Sequence, residues 1–464
     1  MFESLIKHVV YPAVARREGR TGLYRYLKDL EESQFWPLER IREQQLAKLQ
    51  VLIRHAYENT VFYRKRFNDC GFDPYHFKDV DKLKTLPVLT KEDIRDNLST
   101  LTATTYGKEN LNASLSGGTT GLVTQFYLNR ECLTPKLAAV LRFDKWTGWD
   151  IGEWMGLVWP ATLDDYGEAT WRSIITNYVS HRRIKLALTV IEEAQVRKFL
   201  ETIRKKKITM IRGFPMPLSD VATYALDHDL MDFAVKGIVS TGETLYPHQR
   251  EAIEKAFDCR CYDSYRTREN GPIAQECEVH GGLHINAECV FVETVQIGKG
   301  VSEGKESKRS DGRILITDLL NYGMPFIRYD IGDVGMLSEM ACSCGRGLPL
   351  LTKVGGRMVD LLYAPDGRHI ASITLIPNLV HETGITNRVQ IVQDALDHII
   401  LRITKPSPSE AILAHMREIV GRIFRAEMKV SFEFPDEIEF VKSGKYPFIV
   451  CKVPKEQVEK VRTK

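Results

Sequence analysis

The stretch VKGIVSTGETLYPHQREAIEKAFDCRCYDSY, residues 235–265, decides the fold class. An apolar run of strand length ends at Ser240-Thr241-Gly242. A helix-period stretch opens at Pro247, and a second run alternates apolar and polar residues up to Tyr265. Strand, helix and strand in this order form a crossover unit of a parallel sheet. The pattern extends outward: MGLVWPA, ITMIRGF and RILITDLL read as strands and AQVRKFLETIRKKK as a helix, which predicts an α/β lobe over 81–356. Upstream, residues 1–80 form a helical segment of that lobe, because LYRYLKDLEESQFW and LERIREQQLAKLQVLIRHAYENTVFYRKRF repeat apolar residues three and four apart. Downstream, RVQIVQDALDHIILRITK reads as a hairpin, SEAILAHMREIVGRIF as an amphipathic helix and MKVSFEFPDEIEF as a strand, a small α+β lobe over 357–464. The segment GKGVSEGKESKRSDG, 298–312, lacks periodicity and reads as a solvated loop.

Composition narrows the function. A chain of 464 residues with 43% hydrophobic and 27% charged residues suits a soluble protein of two or three lobes. No apolar run is long enough to span a bilayer. The first apolar stretch is too short, and too broken by Lys7, His8 and Pro12, to be a signal peptide, so a cytoplasmic chain is expected. With 64 basic and 61 acidic residues there is no single-sign field, and nucleic acid is not an expected partner. An oligomer stays open. Nine cysteines in an unexported chain do not read as a disulfide framework.

Ser116-Gly117-Gly118-Thr119-Thr120-Gly121 sets three glycines and three hydroxyl residues in one loop. Glycines let backbone N–H groups converge on phosphate and hydroxyls add donors; a flexible turn is the alternative. The P-loop ending and the dinucleotide spacing are both missing.

SGGTTG is similar to the signature phosphate loop of the adenylate-forming superfamily, with Val123 and Thr124 where its Pro and Lys stand. Further motifs follow in the family's order. Gly242-Glu243-Thr244 resembles the segment lining the adenine, and Asp263-Ser264-Tyr265-Arg266-Thr267-Arg268-Glu269 resembles the Tyr-Gly-x-Thr-Glu motif. Asp330-Ile331-Gly332-Asp333 resembles the ribose motif, Gly356-Arg357 the lobe junction and Ser443-Gly444-Lys445 the terminal Gly-Lys. PVLTKEDIR, NYGMPFIRYDIGD and CSCGRGLP are similar to the phenylacetate-coenzyme A ligase branch and its capsular-polysaccharide-type relatives.

The resemblance implies an ATP-dependent, AMP-forming carboxylate ligase that uses Mg²⁺ and passes an acyl or aryl group to coenzyme A. Glu269 would hold Mg²⁺, a hard cation that takes oxygen ligands. Tyr265 would stack on the adenine, Asp263 accept from its amino group, Asp333 take the ribose hydroxyls and Arg357 hold the ribose. Lys445 would meet the negative charge gathered at carboxylate and phosphate during adenylation. Arg268, in place of a threonine, is a candidate for phosphate or substrate carboxylate, and Val359 replaces the family's hinge acid. An amine, hydroxyl or carrier-protein acceptor stays open, as does a non-catalytic nucleotide-binding scaffold. The aromatics Trp146, Trp149, Trp154, Trp159 and Phe214 are available for the acid or for the core.

Cys277, His280, Cys342 and Cys344 offer three thiolates and an imidazole from turn-like surroundings, a set that suits a closed structural Zn²⁺ site. His284 and Cys289 are spare candidates. Cys259 and Cys261, two apart in a strand pattern, read as core. A zinc-dependent hydrolase does not fit, because a closed four-ligand site leaves no position for water.

Overall fold

The computed structural model describes residues 2–117, 123–160, 176–188, 193–296, 312–338, 340–357, 361–366 and 369–371, positions 375, 379, 382, 383, 385 and 387, then 388–424, 426–438, 447–454, 457, 458 and 461. Its strands run β1 Leu111–Gly117, β2 Val123–Asn129, β3 Met155–Pro160, β4 Arg183–Leu188, β5 Met210–Gly213, β6 Gly237–Thr241, β7 Arg260–Thr267, β8 Gly271–Glu276, β9 Leu283–Ile285 and β10 Val290–Gln296. They continue as β11 Gly312–Asp318, β12 Tyr329–Ser338, β13 Leu350–Arg357, β14 Leu361–Tyr363, β15 His369–Ala371, β16 Val389–Ala395, β17 His398–Ile403, β18 Lys429–Glu433 and β19 Ile449–Cys451.

One eleven-stranded sheet, ordered β10-β11-β12-β13-β9-β8-β7-β6-β5-β3-β4, carries the large lobe. The half made by β3 to β7 is parallel, with the helices Glu193–Lys206, Pro215–Asp227 and Pro247–Phe257 on the crossovers. Pro247 sits in the first turn of its helix, where no N–H is needed, and the Tyr246 N–H is satisfied by Gln249 Oε1 at 3.1 Å. From β7 onward the pairing is antiparallel, where the sequence pattern predicts continued βα alternation. The links after β7, β8 and β9 are too short to hold the crossover that parallel neighbours require.

The helical start is as expected: Leu23–Ser33, Leu38–Asn59 and Val61–Asp69 are helices, and Leu49, Leu52, Ile53 and Ala56 pack into the core of the antiparallel half. PVLTKEDIR also attaches there. Thr90 and Asp93 cap a short helix reciprocally at 3.1 and 3.0 Å. Leu89 bridges Tyr329 through backbone bonds of 3.1 and 2.9 Å, and buried Arg328 ties the ribose-motif strand to Glu293.

The C-terminal lobe has its own core. Strands ordered β18-β17-β16-β19 are packed by Leu413, Met416, Ile419, Val420 and Phe424 of the helix Glu410–Phe424, the hairpin, helix and strand read from sequence. Tyr246 and Met216 of the large lobe meet Phe448 and Ile438, and Arg388 pairs with Asp220 at 3.1 Å. No helix among the described residues is long and apolar enough to cross a membrane.

Candidate active site

The parallel strands deliver β6 and β7 side by side, with Ser240 opposite Asp263 and Thr241 opposite Ser264. Gly242 turns the chain away at φ +89°, and a Cβ there would fall 2.6 Å from the Phe214 ring, so this turn requires glycine. Glu243 and Thr244 follow in the same half-buried turn. Phe214 meets Trp159 edge to face at 4.8 Å, whereas Trp146, Trp149 and Trp154 are core residues.

The two halves of the expected nucleotide site converge. Tyr265 Oη, on β7, donates to Asp333 Oδ2, on β12, at 2.6 Å. Residues 68 positions apart in sequence, expected to serve adenine and ribose, are in direct contact. Asp333 is opposite Arg357 in the β12–β13 register. Glu269, buried in the turn after β7, accepts from Tyr329 Oη at 3.3 Å. That turn is braced from below by Lys136, which lies 3.5 Å from the Glu269 carbonyl and pairs with buried Asp318 at 2.6 Å. Arg268 is exposed and donates to the Leu115 carbonyl of β1 at 3.2 Å, which puts it beside the strand that precedes the loop expected to bind phosphate. Arg266, at the family's glycine position, instead braces the sheet, bonding Ser264 Oγ at 2.8 Å and Gln275 Oε1 at 3.3 Å.

Sequence reasoning missed the acid-base network behind Asp263. Arg250, from the helix Pro247–Phe257, clamps Glu276 of β8 with two bonds of 3.0 and 2.8 Å, and Glu276 also accepts the Asp263 N–H at 2.8 Å. Burial acts to raise the Glu276 pKa, but His280, Arg250 and the Asp263 N–H outweigh it and hold this carboxyl below its usual range. Asp263 takes the opposite shift: burial first, then the Glu276 charge, against Arg250, push it up to about 7. The available signal was Glu276 at the end of the strand-like run GPIAQE.

His280 is the correction to the metal set. Its positive φ, +55°, turns the ring toward Glu276 Oε2 at 3.1 Å and against Tyr262. The imidazole grouped with Cys277, Cys342 and Cys344 is that of His284. Cys289 packs in a different core cluster, and Cys259 and Cys261 pack together as read.

Ser116 and Gly117 end β1, opposite Thr124 and Val123. Gly118, Thr119, Thr120, Gly121, Val359, Ser443, Gly444 and Lys445, with most of the 298–312 loop, lie outside the described residues.

The family model of the CapK C-terminal domain matches residues 362–452. Protein CapK of Staphylococcus aureus is 23% identical over 376 residues, 80% of each chain. Phenylacetate-coenzyme A ligase of Aromatoleum evansii is 24% identical over 452 residues, 92% of this chain and 98% of that one. Among solved structures, 2-hydroxyisobutyryl-CoA ligase in the postadenylation state, in complex with R3-HIB-AMP, superposes with a TM-score of 0.71 at 18% identity, covering 93% of this chain and 94% of that one.

Proposed function

We propose, from the premise that this chain belongs to the phenylacetate-coenzyme A ligase and CapK branch of the adenylate-forming superfamily, that it is an AMP-forming acid–thiol ligase. The observation that carries this reading is the 2.6 Å contact between Tyr265 and Asp333. It joins an aromatic face for a purine to a carboxylate with acceptors for two vicinal hydroxyls, beside Gly242.

In the first step a carboxylate oxygen of the acid attacks the α-phosphorus of ATP, the bond to the bridging oxygen breaks and pyrophosphate leaves. Catalysis is alignment plus charge neutralisation. Glu269 suits Mg²⁺: its carboxylate is a hard donor that accepts from the neutral Tyr329 hydroxyl on one oxygen, and the metal would offset charge on the phosphates. Arg268, bonded to the Leu115 carbonyl, would offset charge on the phosphates, and Lys445 would meet the reacting carboxylate and phosphate. In the second step the sulfur of coenzyme A attacks the acyl carbon, its proton passes to solvent and AMP leaves. Trp159 and Phe214, against bare Gly242, suit a small or aryl acid. The unpaired thiols and the cosubstrates fit a cytoplasmic reaction.

The test is ATP–pyrophosphate exchange with Mg²⁺ across aryl, fatty and amino acids, without coenzyme A, followed by product analysis with coenzyme A or hydroxylamine. Exchange that depends on one acid class and thioester formed only with coenzyme A are expected. A chain that binds ATP yet gives neither exchange nor any acyl product with the full panel overturns the proposal. Lys445→Ala should abolish exchange and leave ATP binding and folding intact.

A further inference from the structure

Three thiols and an imidazole converge beneath the antiparallel half of the sheet. Cys277 follows β8, His284 lies in β9, and Cys342 and Cys344 lie on the connection from β12 to β13. One ligand atom from each falls within 4.8 Å of the other three. Cys277 Sγ and Cys342 Sγ are 3.7 Å apart, and Cys344 Sγ is 3.3 Å from His284 Nε2. With Zn–S bonds of about 2.3 Å and Zn–N bonds of about 2.0 Å, a tetrahedral site separates two sulfurs by about 3.8 Å and sulfur from nitrogen by about 3.5 Å. The observed spacings match those edges before any metal is added.

The surroundings are also those of a metal site. His284 is fully buried, and its Nδ1 lies 3.4 Å from the Leu348 carbonyl, a partner that fixes the tautomer with the Nε2 lone pair turned to the thiols. The Arg346 N–H donates to Cys344 Sγ at 3.4 Å, across the turn made by Gly345 at φ +83°. Trp36, Ile41, Phe143, Trp146 and Leu348 pack around the cluster, with Cys342 and Cys344 partly exposed.

We infer that Cys277, His284, Cys342 and Cys344 hold one structural Zn²⁺, with three thiolates and a neutral imidazole. Loading releases the thiol protons to solvent, and the closed set leaves no position for a reactive water. The bound metal acts as a clasp for the start of the chain. The turn that carries Cys342 and Cys344 continues into Arg346 and Gly347. The Gly347 N–H donates to the Gln34 carbonyl at 2.9 Å, and Gln34 Oε1 accepts from Arg346 Nε at 3.3 Å and from Trp146 Nε1 at 2.9 Å. A Cβ at Gly347 would lie 1.9 Å from the Trp36 carbonyl, so the two segments fit only with glycine there.

The test is elemental analysis of the full chain purified without added metal, with zinc release by an organomercurial followed by a chelating dye. About one Zn per chain is expected. His280→Ala should keep the metal, and Cys344→Ser and His284→Ala should lose it, with limited proteolysis then cutting first within residues 1–40. Should His284→Ala fail to fold, His284→Cys supplies a fourth thiolate, and its Co²⁺ form should show the intense visible bands of a tetrahedral thiolate site. Metal-free folded protein with these thiols reduced, a Cys277–Cys342 disulfide, or zinc lost from His280→Ala but kept by His284→Ala would each overturn the inference. Metal content is read without the ligase assay, so failure here is distinct from failure of the proposed activity.

Discussion

Lowering the pH from 8 to 6 should cut kcat/KM for ATP roughly ten-fold, and Asp263→Asn should abolish the part of that fall that belongs to Asp263. The cause lies in a contest for charge between two carboxyls. Glu276 accepts from Arg250, His280 and the Asp263 N–H and stays ionised, so Asp263, half-buried beside that negative charge, is pushed up to about 7. In the proposed site the Asp263 carboxylate would accept from the adenine amino group best when ionised. With a pKa near 7 in the free chain, about nine-tenths of the molecules are competent at pH 8 and about one-tenth at pH 6. The terminal phosphate of ATP titrates as well, so the profile of the Asn variant at saturating Mg²⁺ is the baseline. Stability supplies a second readout with its own sign. A carboxyl whose folded pKa lies above its unfolded value of 3.8 contributes stability that is full below 3.8 and lost as pH rises through 7, so Asp263→Asn should melt higher than native above pH 7. Native and Asn profiles of kcat/KM that coincide from pH 6 to 8 would refute the reasoning.

Three further outcomes are expected. Tyr265→Phe keeps the ring and deletes the 2.6 Å bond to Asp333; it should raise KM for ATP roughly ten-fold with kcat little changed, measured by initial rates. Glu269→Gln should raise the Mg²⁺ needed for half-maximal exchange by roughly an order of magnitude and leave the melting temperature near native; an unchanged Mg²⁺ titration would remove Glu269 as a ligand. Gly347→Ala forces a Cβ against the Trp36 carbonyl and should destabilise by about 1–3 kcal/mol in urea titration, whereas Gly345→Asn, at a turn with open space around a positive φ, should cost less than 1 kcal/mol.

What the sequence carried was local. Residues 235–265 announced strand, turn, helix and strand because each has its own period and punctuation, and the C-terminal hairpin and helix were legible for the same reason. Tyr265 and Asp333 were placed by motif order, although no local signal put them 2.6 Å apart. The antiparallel half was not foreseen, since an apolar run reads the same in either direction and only the link lengths set the pairing. His280 was favoured over His284 because Cys-x-x-His suits a single turn. The left-handed residue at 280 spends that imidazole on Glu276, while β9, paired with β13, carries His284 to the thiols. The Arg250–Glu276 clamp joins a helix face to a strand, and such pairings depend on how elements pack rather than on the period within either one.

The junction between Gln34 and Arg346 spans 312 residues of sequence, and it bears on how the polypeptide assembles as it is made. At roughly 5–20 residues per second, a ribosome needs about 15–60 seconds to travel from one to the other. For most of that interval these helices have left the exit tunnel with their apolar faces complete and their docking partner not yet synthesised. Leu49, Leu52 and Ile53 wait as well, because the strands they cover lie near the end of the large lobe. These helices are therefore translated well before the strands that bury them, which makes them the natural foothold for a chaperone on the nascent chain.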